Sequence, residues 1–211
     1  MADGDITTGL VAQLRVRLED INSSSYQLED SELYEYFKDA QLEIATLLHD
    51  DYLDEFTEIS EGEDVSDGYI ALTSIDSNGI LRGGEGIVNV KVAPGGSNAL
   101  WAIPIKPKDL KNIENTYMAE SDTNILYYTF KGRVYILCTT LANTTADFYF
   151  LKTPSNPSDS VDPVLNKAFH NIMLDLAEWK GWLALNKSDR AKEARGYAYD
   201  QIKMLNAKKE D

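Results

Sequence analysis

Residues 30–56 constrain the fold most strongly, because they carry the most regular apolar pattern in the chain. Asp30 opens the segment and is a suitable N-cap, since its carboxylate can accept from an unpaired backbone N–H. Apolar side chains then recur at spacings of four, three, four and three, which aligns them along one stripe of a helix: Leu33, Phe37, Ala40, Ile44 and Leu47. The segment therefore predicts one long amphipathic helix whose stripe needs cover from elsewhere in the chain.

The opposite face of this predicted helix is acidic. It carries Glu32, Glu35, Asp39 and Glu43, with a single Lys38 among them. A face of this kind is either solvated or presented to a basic partner.

A shorter helix is predicted over residues 6–21, where Val11, Leu14, Leu18 and Ile21 follow spacings of three, four and three. The connection between the two helices is short, polar and rich in serine. We therefore expect them to fold back as an antiparallel hairpin.

Strand and turn composition begins after Phe56, where β-branched segments alternate with Gly, Asn and Pro. The pattern predicts three strands, a short helix, a hairpin that turns at Lys131-Gly132, and a closing strand. Their expected positions are residues 68–75, 86–93 and 99–105 for the strands, 107–118 for the short helix and 146–152 for the closing strand.

Helical periodicity returns near Asp162 and Pro163, a pair that is typical of a helix start. The apolar stripe that follows consists of Leu165, Phe169, Ile172, Leu176, Trp179 and Leu183. A last helix carries Ala191, Ala194, Ala198, Ile202 and Leu205, whose small members permit close packing.

This order predicts an α+β protein in which the N-terminal and C-terminal helix pairs form a four-helix bundle with an inserted antiparallel β-domain. The two stripes must meet because each is too wide to remain exposed. The expected divisions are an N-terminal helical hairpin over residues 1–56, the β-rich domain over 57–154, and the C-terminal helix pair with a charged tail over 155–211.

The net charge of −15 is concentrated at one end of the chain. Residues 1–64 hold 18 Asp and Glu against three basic residues, whereas residues 65–211 hold 17 of each sign. This distribution disfavours ordinary binding to duplex phosphates. Cys138 is the only cysteine, so no intramolecular disulfide can form, and we expect neither a membrane span nor a signal peptide.

No pattern in the sequence indicates a catalytic site. His49 and His170 lie outside any HExxH or Cys/His cluster. The LRGGEG segment has no GK[ST] ending, and EGEDVSDG at residues 61–68 does not match an EF-hand. We therefore expect no enzyme activity, no cofactor and no metal site.

Three segments together resemble the head-to-tail adaptor proteins of tailed bacteriophages, the group with the tail tubular A-like and tail accessory proteins of short-tailed phages. The first is LVAQLRVRLEDINSSSYQLEDSELYEYFKDAQLEIATLL, the second YYTFKGRVYILCTTLANTTADFYFLKTP, and the third VDPVLNKAFHNIMLDLAEWKGWLAL with the Ala-rich helix after it. In the first segment the matching residues are Arg15, Arg17, Leu18, Glu19, Asp30, Leu33 and Ala40. Residues 57–105 are longer and richer in glycine than the family pattern.

The resemblance implies a virion structural protein at the head–tail junction, made in the host cytoplasm. About twelve copies would form a ring in the virion, between the portal protein and a downstream tail or nozzle protein, while both a monomer and an oligomer stay open for the isolated chain. DNA would pass through the lumen without sequence-specific binding. The family brings no catalytic residues.

We expect three surfaces of the chain to contact partners. The C-terminal segment is expected to dock on the portal through Lys203, Lys208, Lys209 and Asp211. The acidic residues Glu32, Glu35, Asp39 and Glu43 are expected to face a neighbouring subunit, the portal or the channel. A turn with Asn78, Gly79 and Arg82 is expected to face the tail.

Two alternative functions stay open from the sequence. One is another neck or tail-completion structural protein on the same scaffold. The other is an acidic carbohydrate- or calcium-binding module whose β-block does the binding.

Overall fold

A computed structural model describes residues 6–22, 24–113, 120–158 and 160–208. The chain divides into a helical unit, Met1–Glu55 with Pro154–Asp211, and a β unit, Phe56–Thr153. The elements in chain order are α1 (Ile6–Arg17), α2 (Asp30–Leu47), β1 (Thr57–Asp64), β2 (Tyr69–Ala71), α3 (Leu72–Ile75), β3 (Ile87–Ala93), β4 (Leu100–Trp101), β5 (Ile103–Pro104), α4 (Leu110–Ile113), β6 (Leu126–Phe130), β7 (Arg133–Leu137), β8 (Thr145–Leu151), α5 (His170–Ala184) and α6 (Ser188–Ala207). The α+β class is confirmed.

α5 is central to the helical unit, because it packs against α1, α2 and α6. The predicted meeting of the two apolar stripes is confirmed, since the C-terminal helix pair packs with α2. Among the described residues of this unit, the largest fully buried side chains are Leu14, Leu33, Phe37, Ile44, Leu48, Leu53 and Met173.

The prediction of one helix over residues 30–56 is wrong, because α2 ends at Leu47. The chain continues through 3-10 turns at Asp50–Tyr52 and Asp54–Phe56. Asn206 of α6 fixes this end: its side-chain amide donates to the Leu47 carbonyl at 2.8 Å and accepts from the His49 N–H at 2.9 Å. As a result Leu47, which the stripe predicted to be buried, is 37% exposed, and its neighbour Leu48 is buried instead.

The start of α2 and the end of α1 also differ from the prediction. Glu29 is the N-cap instead of Asp30, and α1 ends at Arg17. Glu19 follows with a positive φ of 59°, a left-handed conformation that terminates the helix. Ile21 therefore leaves the stripe and is 68% exposed.

The α5 helix starts later than residues 162–163. A 3-10 turn at Lys167–Phe169 precedes it, and Asn166 caps that turn by accepting from the Ala168 N–H at 3.0 Å. Gln41 of α2 accepts from the Val164 N–H at 2.8 Å and so connects the segment before α5 to α2. At the other end Leu183 is 48% exposed, whereas Trp182 is buried.

Two four-stranded sheets build the β unit around one apolar core. The first sheet has the order β1-β8-β3-β4 and the second β2-β7-β6-β5. The first sheet contributes Val90, Val92, Ala146, Phe148 and Phe150 to the core, and the second contributes Ile70, Tyr127, Val134 and Ile136. The side chains of both sheets therefore meet in a sandwich.

The hairpin prediction is confirmed, because Lys131 and Gly132 both have positive φ between β6 and β7. Other parts of the β prediction are incomplete or wrong. The acidic strand β1 was not predicted, residues 72–75 form the helical turn α3, and the segment 99–105 splits between the two sheets. β5 also pairs parallel with β6, so the unit is not wholly antiparallel. The short helix predicted near 107–118 appears as Pro107–Asp109 and α4, while residues 114–119 lie outside the described part.

Candidate interaction surfaces

The first half of the predicted acidic face remains at the surface. Glu32 accepts from the Glu29 N–H at 2.8 Å and so helps to cap α2. Glu35 pairs with Lys38 at 3.0 Å. Both carboxylates are exposed, so they can meet a partner without breaking a contact between helices.

The second half of the acidic face, Asp39 and Glu43, contacts other helices of the helical unit. Asp39 pairs with Lys180 of α5 at 2.7 Å, and Glu43 accepts from the Tyr199 hydroxyl of α6. Arg195 in turn donates to Tyr199 at 3.3 Å. The four predicted acidic residues therefore do not form one uniform free surface.

Two shallow grooves border this face. One of about 430 Å³ is lined by Asp39, Leu42, Glu43, Thr46, Leu47, Lys180 and Tyr199. The other, of about 380 Å³, is lined by Leu47, Tyr199, Ile202, Lys203, Asn206 and Ala207. The candidate portal contact Lys203 thus lies beside α2.

The predicted docking segment is partly built into the fold. α6 continues to Ala207, and Asn206 holds the end of α2. The Tyr52 hydroxyl also donates to the Leu205 carbonyl at 3.3 Å. Lys208 is exposed just after the helix, while Lys209 and Asp211 lie outside the described residues.

The predicted tail-facing turn is held against the end of β8. Thr153 donates to the Gly79 carbonyl through its hydroxyl at 2.6 Å and its N–H at 3.3 Å. Asn78 donates its N–H to Asp76 at 2.9 Å and is exposed, whereas Gly79 and Arg82 are half-buried. Of the three predicted residues, Asn78 is therefore the most exposed.

A buried charge network around Arg15 was not predicted. The guanidinium donates to Asp20 at 2.8 Å, to the Leu28 carbonyl at 3.0 Å and to Asp30 at 2.5 Å. It also lies 3.6 Å from the ring centre of Tyr26. Arg15 is 6% exposed and Asp20 is 4% exposed. Arg15, Asp20 and Asp30 share no periodic spacing, so the sequence carries no local signal for this network.

Asp20 connects this network to the backbone. Its carboxylate accepts from the N–H groups of Gln27 and Leu28 at 2.9 and 3.3 Å. The network therefore joins the two ends of the connection between α1 and α2, although that connection is polar and rich in serine.

Arg17 lies on the other side of α1, against α5. It pairs with Asp175 at 2.5 Å and with Glu178 at 3.3 Å. These residues line a groove of about 420 Å³, where Arg190 lies over the Trp182 ring. The charged groups of this groove have partners within the helical unit: Arg190 pairs with Glu19 at 2.8 Å, and Glu193 accepts from the Tyr197 hydroxyl at 3.0 Å. The groove is therefore a packing feature of the helical unit.

The β unit exposes an aromatic pair on its first sheet. The Trp101 and Tyr149 rings lie 5.2 Å apart, and the Lys91 ammonium is 5.9 Å from the Trp101 ring. Trp101 is 57% exposed. Large exposed aromatic side chains of this kind are typical of protein interfaces.

The histidines and the cysteine make local contacts. The His49 Nδ1 lies 3.8 Å from Asp51, and a His170 ring nitrogen lies 3.0 Å from the Leu165 carbonyl oxygen. The Cys138 thiol donates to the Thr140 carbonyl, and burial raises its pKa. Within the described ranges, no group of three or more His, Cys, Asp or Glu is arranged to hold a metal ion.

None of the described helices is both long enough and apolar enough to cross a membrane. A scan of protein-family models finds no match to this chain, and neither does a search of curated proteins.

Proposed function

We propose that this chain is a virion structural protein, a ring-forming adaptor that joins the portal to the tail of a tailed phage. Its role is assembly and not catalysis. It lies at the head–tail junction, contacts the portal on one side and a tail or nozzle protein on the other, and forms part of the DNA channel.

One observation carries the proposal: the two ends of the chain fold together into the helical unit, while the middle forms the β unit. The resemblance to the adaptor family rests on segments distributed in the same way. Its first segment covers α1 and α2, its second covers β6 to β8, and its third leads into α5 and α6. The likeness thus involves both units.

The finer architecture that we propose is a four-helix bundle of α1, α2, α5 and α6. The contacts of α5 with each of the other three helices support it. The polar links across the unit, Arg17 to Asp175 and Lys180 to Asp39, support the same arrangement.

For the proposed contacts, the exposed carboxylates Glu32 and Glu35 face the channel or a neighbouring copy. Facing the channel, they would repel DNA phosphates and so keep the passing duplex from adhering. Lys203 and Lys208 belong to the portal side, and Asn78 to the tail side.

The test is binding to purified portal, measured by co-sedimentation with the full chain and with a chain that ends at Ala207. The truncation begins at Lys208 because Asn206 and Leu205 contribute to the fold. We expect the full chain to bind and the truncated chain to bind more weakly at unchanged thermal stability. A chain that neither binds portal nor occurs in purified virions would contradict the proposal.

The alternatives are separated by simple measurements. A neck or tail-completion protein would occur in virions but would not bind isolated portal. A carbohydrate- or calcium-binding module would show heat of binding with glycans or calcium in calorimetry.

A further inference from the structure

The β unit has two opposite sides where its sheets end. β4 and β5 are edge strands of different sheets and are joined through Ala102 alone, so these two edges lie next to each other. The other two edges, β1 and β2, therefore lie together on the opposite side. We call the side with β1 and β2 the acidic side, and the side with β4, β5 and residues 105–111 the basic side.

The acidic side presents an open strand with negative charge. Among the described strands, β1 pairs only with β8, so its outer edge is unpaired. Glu61 in β1 and Asp67 just after it are exposed, and neither has an ion-pair partner among the described residues. β1 also exposes Ile59, at 49%. A charged edge of this kind resists pairing with a neutral strand and accepts one that brings positive charge.

The basic side has the complementary character. Leu100, Trp101 and Ile103 expose 39%, 57% and 50% of their surface within four residues. The segment directly after them carries Lys106, Lys108 and Lys111, which are exposed and have no ion-pair partner in the described part of the chain. Apolar residues beside free positive charge are thus gathered at one edge.

We propose that the β units of neighbouring copies bind side to side, with the basic side of one copy on the acidic side of the next. The partner is a second copy of this chain because opposite charges and exposed apolar residues occur on opposite sides of one unit. A contact between two different faces is heterologous, and its repetition closes a ring if the rotation allows. This inference rests on the proposed ring-forming function and identifies the surfaces that form the ring.

Charge reversal tests the contact. One variant changes the basic side, Lys106→Glu with Lys108→Glu and Lys111→Glu, and a second changes the acidic side, Glu61→Lys with Asp67→Lys. A third combines all five substitutions. The matched control reverses three exposed lysines of the helical unit, Lys167→Glu with Lys187→Glu and Lys192→Glu.

Self-association is measured by sedimentation velocity over a concentration series at low and high salt. We expect the unchanged chain and the control to associate, and high salt to weaken the association. Each one-sided variant should associate roughly 100-fold more weakly, because like charges then meet across the contact. The combined variant should recover, since both sides have exchanged sign.

Two results would overturn the inference: an unchanged chain that stays monomeric throughout, or a combined variant no better than the one-sided variants. Portal binding by the same proteins separates this failure from that of the proposed function. If portal binding persists while the combined variant does not regain self-association, the adaptor proposal stands and the ring uses other surfaces.

Discussion

The two units of this protein use charged residues in opposite ways. In the helical unit, charges connect elements: the buried Arg15 joins α1 to the connection before α2, Arg17 joins α1 to α5, and Asp39 joins α2 to α5. In the β unit the core is apolar, and free charges such as Glu61 and Lys106 lie at the surface. The acidic third of the sequence is therefore not one surface, because part of it holds the helices together and part of it remains free for partners.

Among the substitutions that test this difference between the units, Arg15→Met should lower the free energy of unfolding most. The change leaves the Asp20 carboxylate buried without its cation, so the free energy of unfolding should fall by about 3–5 kcal/mol. Urea unfolding measures the loss, and amide hydrogen exchange should locate it in α1, α2 and their connection. Arg17→Met is the matched control two residues away. The Arg17 side chain is 32% exposed, and the expected loss is about 1 kcal/mol or less. Equal losses for both variants would contradict a special role for the buried network.

In the β unit the comparable loss should come from an apolar residue. Phe148→Ala removes a fully buried ring from the shared core and should cost about 3–5 kcal/mol. The cost should be nearly independent of salt, since no charge is involved. Tyr149→Ala removes a half-exposed ring from the next position of the same strand and should cost clearly less. A Tyr149 variant as unstable as the Phe148 variant would show that the outer sheet face also carries the fold.

A smaller effect tests how closely α1 and α5 pack. A Cβ at Gly181 would lie 2.5 Å from Leu18 Cδ1, so Gly181→Ala should destabilise the helical unit by about 1–3 kcal/mol. Gly196→Ala in α6 is the control, because a Cβ there meets nothing within 4 Å. That substitution should stabilise by about 0.5–1 kcal/mol in thermal unfolding. A destabilised Gly196→Ala variant would show that the helix propensity of alanine does not determine the stability change at this position.

The smallest effect is expected from Asp39→Asn. The Asp39–Lys180 pair is partly exposed, and such pairs contribute about 0–1 kcal/mol. Raising the salt concentration should reduce the difference between the variant and the unchanged chain in thermal unfolding. A loss as large as that of Arg15→Met would remove the distinction between buried and surface charges in this unit.

The interiors of the helices were predictable from sequence, whereas their ends were not. Leu33, Phe37, Ile44, Ile172 and Leu176 are buried as their periodicity predicts. Local spacing determines such positions. The end of α2 depends on Asn206, which lies more than 100 residues away in sequence, so no local pattern could place it.

In the β unit and at the candidate surfaces, the features that were missed also depend on contacts between residues far apart in sequence. β1 was overlooked because its acidic residues disfavour strand assignment, although pairing with β8 supplies its hydrogen bonds. The acidic helix face was visible in the sequence, but the use of Asp39 and Glu43 by α5 and α6 was not. The opposite charge of the two β-unit sides depends on strand order, which the sequence did not determine.

Electron microscopy of portal mixed with the purified chain tests the central claim most directly. We expect a ring of about twelve copies bound to one end of the portal, in which each subunit contacts its neighbours through two different faces. Portal particles without added density, in a mixture where the chain stays monomeric, would contradict it.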